Sequence, residues 1–271
     1  LILRSTALGP TYGDLVAVPL ANPAGPRADS GVSCERVYAV AARGLCMSAH
    51  RGIITTYAAT VLDADLHPTL PVKIIGGPTR TRLSADGRYA ATTVFVAGHS
   101  YTDVGFSTVT EIVDTTTGGG LGNLEGWRVV KDGRLYHGPD DNFWGVTFAA
   151  DDTTFYATLS TGGHTYLVRG DIAARQVTTV RENAECPSLS PDGRVVVYKK
   201  ATGGSAARHW RFTALDIATG VETPLPETRS VDDQVAEADR KGDRGQLLRL
   251  SYFVPGACCG RHCGVSPLRF C

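Results

Sequence analysis

Three features of the sequence predict an all-β fold built from repeated four-stranded sheets. The first is a tight turn that leads into an apolar strand. Ser190-Pro191-Asp192-Gly193-Arg194 runs into Val195-Val196-Val197-Tyr198, and Ser84-Ala85-Asp86-Gly87-Arg88 runs into Tyr89-Ala90. A degraded copy, Ala149-Ala150-Asp151-Asp152, runs into Thr153-Thr154-Phe155-Tyr156. In the full version Pro presets φ at the first turn position, Asp bonds its own backbone two residues on, and Gly accepts φ > 0. The β-branched and aromatic residues that follow suit a pleated, buried surface. The second feature is a marker that follows each copy: Asp114-Thr115-Thr116-Thr117-Gly118, Asp171-Ile172-Ala173-Ala174-Arg175 (which lacks the Thr-Gly), and Asp216-Ile217-Ala218-Thr219-Gly220. The third is spacing. The markers return at intervals of roughly 40 to 60 residues, and repeats of that length made of short strands and turns read as a β-propeller with one four-stranded antiparallel blade per repeat.

The elements follow in chain order. Leu15-Val16-Ala17-Val18-Pro19-Leu20 is an early strand, followed by a Pro/Gly-rich connection from Asn22 to Gly31. Standing apart from the first full repeat, it is expected to close the ring by pairing with C-terminal strands, because an open edge exposes unpaired N–H and C=O groups. A less regular repeat holds strands at Arg36–Ala41, Gly52–Leu62 and Val72–Ile75, with Asp63-Ala64-Asp65 in the place of the second marker. Cys34 and Cys46 flank an expected hairpin turning at Arg43-Gly44. They read either as a cross-strand disulfide, which favours an extracytoplasmic location, or as two small buried thiols. The next repeat contains Tyr89–Val96, Phe106–Val113 and Trp127–Val130, with Asp132-Gly133 as a further hairpin turn. Further repeats occupy 144–181 and 186–226, and Val231-Asp232-Asp233-Gln234-Val235 begins another.

The propeller is expected over 1–235, and 236–271 reads as an irregular Cys/Arg-rich tail with no repeat marker. Cys258, Cys259, Cys263 and Cys271 crowd that tail, with His262 among them. A small zinc site is one reading. The spacing fits no pair of C-x-x-C knuckles, which favours the other, a reading-frame slip that replaces the last blades. The chain begins at Leu1 and its one methionine is Met47, so the natural start, with any signal peptide or anchor, is expected upstream.

Composition excludes several function classes. Of 271 residues, 42% are hydrophobic, and 27 Lys plus Arg balance 27 Asp plus Glu. That balance leaves no electrostatic footprint for nucleic acid or anionic lipid. No apolar run is long enough for a membrane span. Gly203-Gly204-Ser205-Ala206-Ala207 and Gly98-His99-Ser100-Tyr101-Thr102 lack the second glycine of a hydrolase elbow. Gly118-Gly119-Gly120-Leu121-Gly122 runs on to a strand rather than a helix, so it reads as an inter-strand loop and not a phosphate cradle. The seven histidines are scattered, and Asp140-Asp141-Asn142 lacks calcium-loop spacing, so it reads as a turn cap. No cofactor or catalytic residue is expected.

The turn at Ser190–Arg194 with Asp216–Gly220 one hairpin later resembles the TolB-like (WD-repeat-like) β-propellers. Asn142-Phe143-Trp144-Gly145-Val146-Thr147-Phe148-Ala149 and Glu185-Cys186-Pro187-Ser188-Leu189-Ser190-Pro191-Asp192-Gly193 are similar to TolB-like proteins of high-GC Gram-positive bacteria, which are typically exported or membrane-anchored. The resemblance covers 30–235 and implies a six-bladed type, incomplete here, with an interaction role outside the cytoplasm. TolB-like proteins carry a separate N-terminal partner-binding domain; no stretch of this sequence is expected to supply one, so that mode of binding is not carried over.

Repeat phase also yields a candidate site. Aligning Asp86, Asp151 and Asp192, with Asp239 as fourth, places Thr79, Trp144, Glu185 and Asp232 in one column and Arg80, Gly145, Cys186 and Asp233 in the next. Each pair begins the first strand of its blade. Arg80, Trp144, Glu185, Asp232 and Asp233 are therefore expected to line one mouth of the channel and bind a protein, peptide or small ligand. The competing structural reading has Trp144 filling the core and the acids capping strand starts. The competing functional reading is a glycosidase- or lyase-type enzyme using Glu185 and Asp232 as paired carboxylates.

Overall fold

The computed structural model describes residues 2–5, 9–19, 21–22, 24–40, 42–98, 105–203, 209–227, 230, 235–236 and 251–252. The chain folds as two compact units, Leu1–Trp127 with Asn142–Trp144, and Arg128–Asp141 with Gly145–Cys271. The first unit begins with β1 (Ile2–Arg4), β2 (Asp14–Ala17) and β3 (Ala28–Ser33), an antiparallel sheet in that order. The strand expected to pair with the C-terminus is β2, yet both of its edges are taken by β1 and β3. Local antiparallel pairing satisfies its backbone at a lower loop-closure cost than a partner at the far end of the chain.

The second sheet runs in order β4 (Arg36–Val40), β5 (Arg43–His50), β6 (Thr56–Leu62) and β7 (Pro68–Val72). Val40 pairs with Arg43, so Arg43 and Gly44 already lie in β5 and the hairpin turns ahead of its expected position. Residues 52–55, expected as the start of a strand, form a bend that leaves Ile53 and Ile54 exposed. Cys34 and Cys46 are joined by a disulfide with Cα atoms 5.5 Å apart. They are not opposed across the hairpin: Cys46 pairs with Val37, while the Cys34 N–H donates to the carbonyl of Gly13, the turn residue just before β2. The bond thus ties the connection after β3 to β5, inside a cluster with Leu15, Leu62 and Leu66.

The third sheet holds β8 (Gly77–Leu83), β9 (Tyr89–Ala97), β10 (Ser107–Asp114) and β11 (Gly120–Asn123). The glycine stretch expected as a loop supplies β11, with Gly120 opposite Val113 and Asn123 opposite Glu111. Leu45, Met47, Val61 and Val72 of the second sheet pack with Leu83, Val94 and Val113 of the third in one buried core.

In the second unit β12 (Arg128–Lys131) and β13 (Arg134–Tyr136) form a hairpin whose turn residues Asp132 and Gly133 both have positive φ (52° and 74°), as a type I′ turn requires. The hairpin extends a sheet of β14 (Asn142–Phe148), β15 (Thr154–Thr161), β16 (His164–Asp171) and β17 (Gln176–Glu182) by parallel pairing of β12 to β17. The first three residues of β14 belong to the first unit. The next sheet is β18 (Glu185–Leu189), β19 (Val195–Thr202), β20 (His209–Asp216) and β21 (Glu222–Pro224). Tyr156 and Leu167 pack against Leu189, Val196, Tyr198 and Leu215 between the two. A short pair, β22 (Val235–Ala236) with β23 (Ser251–Tyr252), follows. The cysteines expected to crowd the tail lie outside the described residues.

Both sequence markers have a physical reason to recur. Ser190 Oγ donates to Asp192 Oδ1 at 2.6 Å and accepts the Val195 N–H at 3.0 Å; Ser84 makes the same bonds to Asp86 and Tyr89 at 2.6 and 2.9 Å. Gly87 and Gly193 take left-handed φ in this turn, and in the degraded copy Asp152 takes it instead, at 58°. The second marker binds the first: the N–H groups of Thr115, Ile172 and Ile217 donate to the carbonyls of Arg88, Thr153 and Arg194.

An ion cluster closes the second unit's inter-sheet seam. The Tyr198 hydroxyl and Lys200 ammonium both bond Glu222, and the Arg181 guanidinium lies 3.5 Å from it. Burial works to raise the Glu222 carboxyl, but the bonds from Lys200 and Tyr198 outweigh it and hold the group below the usual range. Tyr198 is pushed well above the usual phenol range by burial and by Glu222.

Two outcomes are expected. Ser190→Ala removes a buried donor and acceptor and lowers unfolding free energy by about 1–2 kcal/mol, read as a shift in urea midpoint at unchanged slope; a shift within error sinks this account of the turn. Because Glu222 is depressed in the folded state, its contribution is complete above its unfolded pKa and is lost as pH falls through the folded value. The stability gap between wild type and Glu222→Gln is therefore expected to be about 1–3 kcal/mol at neutral pH and to shrink steadily below about pH 5. A gap that widens on acidification contradicts it.

Candidate functional site

The columns derived from repeat phase fall at the start of β8, β14 and β18, the first strands of three sheets. All three starts are irregular. Pairing of β8 to β9 shifts between Pro78 and Arg80, and that of β18 to β19 shifts between Glu185 and Ser188. Gly145 in β14 and Cys186 in β18 both have positive φ, 68° and 53°. A non-glycine residue held there costs on the order of 1–3 kcal/mol. The Cys186 conformation is held by its N–H, which donates to Thr158 Oγ1 at 2.9 Å.

The candidate residues divide between the units. Arg80 lies partly exposed in β8 of the first unit, next to Thr79, whose carbonyl accepts the Arg36 Nε–H at 2.6 Å. Trp144, also in the first unit, is buried and meets Phe106 edge-on at 5.3 Å between ring centres; Phe106 in turn meets Phe95 at 6.3 Å. Trp144 is thus a core residue, and its indole lines no open surface. Glu185 belongs to the second unit, and Asp232 and Asp233 lie outside the described residues.

Glu185 is 7% exposed and sits opposite Lys199 in the β18–β19 register. The Lys199 ammonium, 3% exposed, lies 3.8 Å from the Glu185 carboxylate and 4.5 Å from the centre of the Trp210 ring. Each charge is compensated in place, the carboxylate by the ammonium and the ammonium also by the indole face. Pairing of this kind offsets part of the cost of burying two charges. Sequence phase located Glu185 but missed Lys199 and Trp210. The signal for Lys199 was nonetheless present: it shares a strand face with Val195 and Val197, where a solvated lysine has no place.

The other sequence candidates resolve as local structure. Asp140 accepts from the Thr161 hydroxyl at 3.0 Å and the Gly162 N–H at 2.8 Å, and Asp141 accepts from the Gly138 N–H at 3.1 Å. Both therefore cap turns. His164 Nδ1 lies 2.7 Å from Glu182 on the surface. Among the described residues no group of three or more His, Cys, Asp and Glu side chains is placed to hold a metal ion.

No protein-family model matches the chain, and no curated protein matches its sequence. Solved structures do. An oligogalacturonate lyase in complex with manganese superposes with a TM-score of 0.53 at 10% identity, over 87% of this chain and 68% of that one. Prolyl endopeptidases superpose with a TM-score of 0.50 at 15% identity, over 79% of this chain and 31% of theirs. TolB from Acinetobacter baumannii is matched at 15% identity with a TM-score of 0.34, over 72% of this chain; the chain spans 57% of that protein's length. Identities this low carry the fold alone, and hosts as different as a lyase and a peptidase separate fold from activity. The chain has the β-propeller fold, built of four-stranded antiparallel blades.

Proposed function

We propose that this propeller is a non-catalytic, extracytoplasmic binding or scaffold module of the TolB-like kind, engaging a protein, peptide or small ligand. The observation that carries the reading is the state of Glu185. A glycosidase or lyase needs a carboxylate that reaches substrate and changes protonation. Glu185 instead lies beneath the surface, compensated by Lys199, which is itself seated on Trp210. That arrangement serves strand pairing.

Further observations bear on it. The Cys34–Cys46 disulfide is of a kind that persists in oxidising compartments. The zero formal charge gives no footprint for nucleic acid. Among the described residues no helix is long and apolar enough to cross a membrane. Within the candidate set, Trp144 and Glu185 act as buried supports, and Arg80 is the described residue whose side chain reaches solvent.

The lyase and peptidase neighbours keep an enzyme as the competing reading, and one experiment separates them. Wild type and Glu185→Gln are assayed on aryl glycosides, oligogalacturonate with and without manganese, and acyl-peptide anilides. No turnover above buffer is expected from either protein. Turnover by wild type that falls at least a hundredfold in Glu185→Gln, with the variant still folded by circular dichroism, overturns the binding reading.

A further inference from the structure

In the first unit the core between the second and third sheets is not filled to its edge. It opens into a cleft of about 300 Å³, at the lower end of the size range of small-molecule sites. One wall is the end of β7 and the segment after it, Val72, Ile74 and the exposed Ile75. The other wall is one face of the third sheet, Val94, Val109 and Val113.

Glu111 stands in the middle of that apolar face. It is directly opposite Thr92 on β9 and next to Val109 and Val113 along β10. The side chain is half-buried, and among the described residues its carboxylate has no hydrogen-bond or ion-pair partner. Lys73, on the rim of the same cleft, makes no ion pair with it. Space for the carboxylate is provided locally: a Cβ at Gly120 would overlap Glu111 Oε1, so any other residue there would displace it. A carboxylate set in an apolar cleft is poorly solvated, and its remaining acceptor capacity calls for a charged donor. The aliphatic walls call for an apolar stem.

We propose that this cleft binds a primary ammonium group carried on a short aliphatic body, with Glu111 as its counter-ion. The same chemistry comes from a free alkylamine or from a lysine side chain, and the test tells them apart. Binding of n-hexylammonium, Nα-acetyl-lysine methylamide, hexanoate and hexanol to the whole chain is measured by calorimetry, with methyl NMR reporting on Val94 and Val109. One or both ammonium probes are expected to bind and to shift those methyls; which binds tighter names the source. Glu111→Gln, which keeps the shape and removes the charge, is expected to weaken them about tenfold or more. Hexanol or hexanoate binding as tightly as the ammonium probes overturns the proposal. So does the absence of any binding, or Glu111→Gln leaving affinity unchanged. None of these outcomes depends on Glu185 or on turnover, so the proposal fails or stands apart from the binding reading above.

Discussion

The constraint on which the blades depend is one backbone hydrogen bond made three times. The residue after each second-marker aspartate, Thr115, Ile172 or Ile217, donates to the carbonyl just before the second strand of its own sheet, on Arg88, Thr153 or Arg194. The bond locks the end of one strand to the start of its neighbour. The register that follows sets Asp114 opposite Tyr89, Asp171 opposite Thr154, and Asp216 opposite Val195. With side chains alternating at period two, a slip of one residue there would turn each buried face outward. Hydrophobic burial between sheets is worth far more in total and rejects that slip, but it is non-directional and does not reject a slip of an even number of residues, which keeps the same faces inward. The turn network selects one.

That selectivity explains why some substitutions in the repeats survive. In the degraded copy the turn serine and glycine are gone, yet Asp151 still accepts the N–H groups of Thr153 and Thr154, at 3.0 and 2.7 Å. Asp152 and Arg175 adopt the left-handed backbone that glycine holds in the other copies, at 58° and 47°. Asp at such a position is common; Arg is less so. The strain is borne because the hydrogen bonds on either side of the turn persist. What the copies share is the pattern of donors and acceptors, with residue identity secondary to it.

Much of the fold was legible from residues for the same reason. Turns with a mechanism, such as Ser190–Arg194 and Asp132-Gly133, lie where the sequence puts them, because their local chemistry fixes their own backbone. Which strand edges pair with which was not legible. The pairing of β2 with β1 and β3 depends on which edges are free, and the attachment of β12 to β17 depends on a parallel neighbour far along the chain. The cysteine pair illustrates both halves. The two residues could be named from sequence, but a cross-strand geometry could not, since Cys34 answers to Gly13 and not to the hairpin. Ionic partners were the least visible: Tyr198, Lys200, Arg181 and Glu222 come from three strands of two sheets.

The candidate site shows where phase stops being informative. Repeat alignment places Arg80, Gly145 and Cys186 at corresponding positions, and each lies at an irregular strand start. Alternation predicts which face a residue takes only along an unbroken pleat, and a bulge adds a residue that resets it. In β18 the consequence is plain: Glu185, Cys186, Pro187, Ser188 and Leu189 are all buried, with no alternation. A column can therefore be correct in register and still misread which side chain meets solvent. Glu185 was expected from repeat phase to line the channel mouth; in β18 it sits opposite Lys199, at the edge of the register shift. Irregular first strands also leave backbone conformation, not side-chain type, as what the blades share at this end.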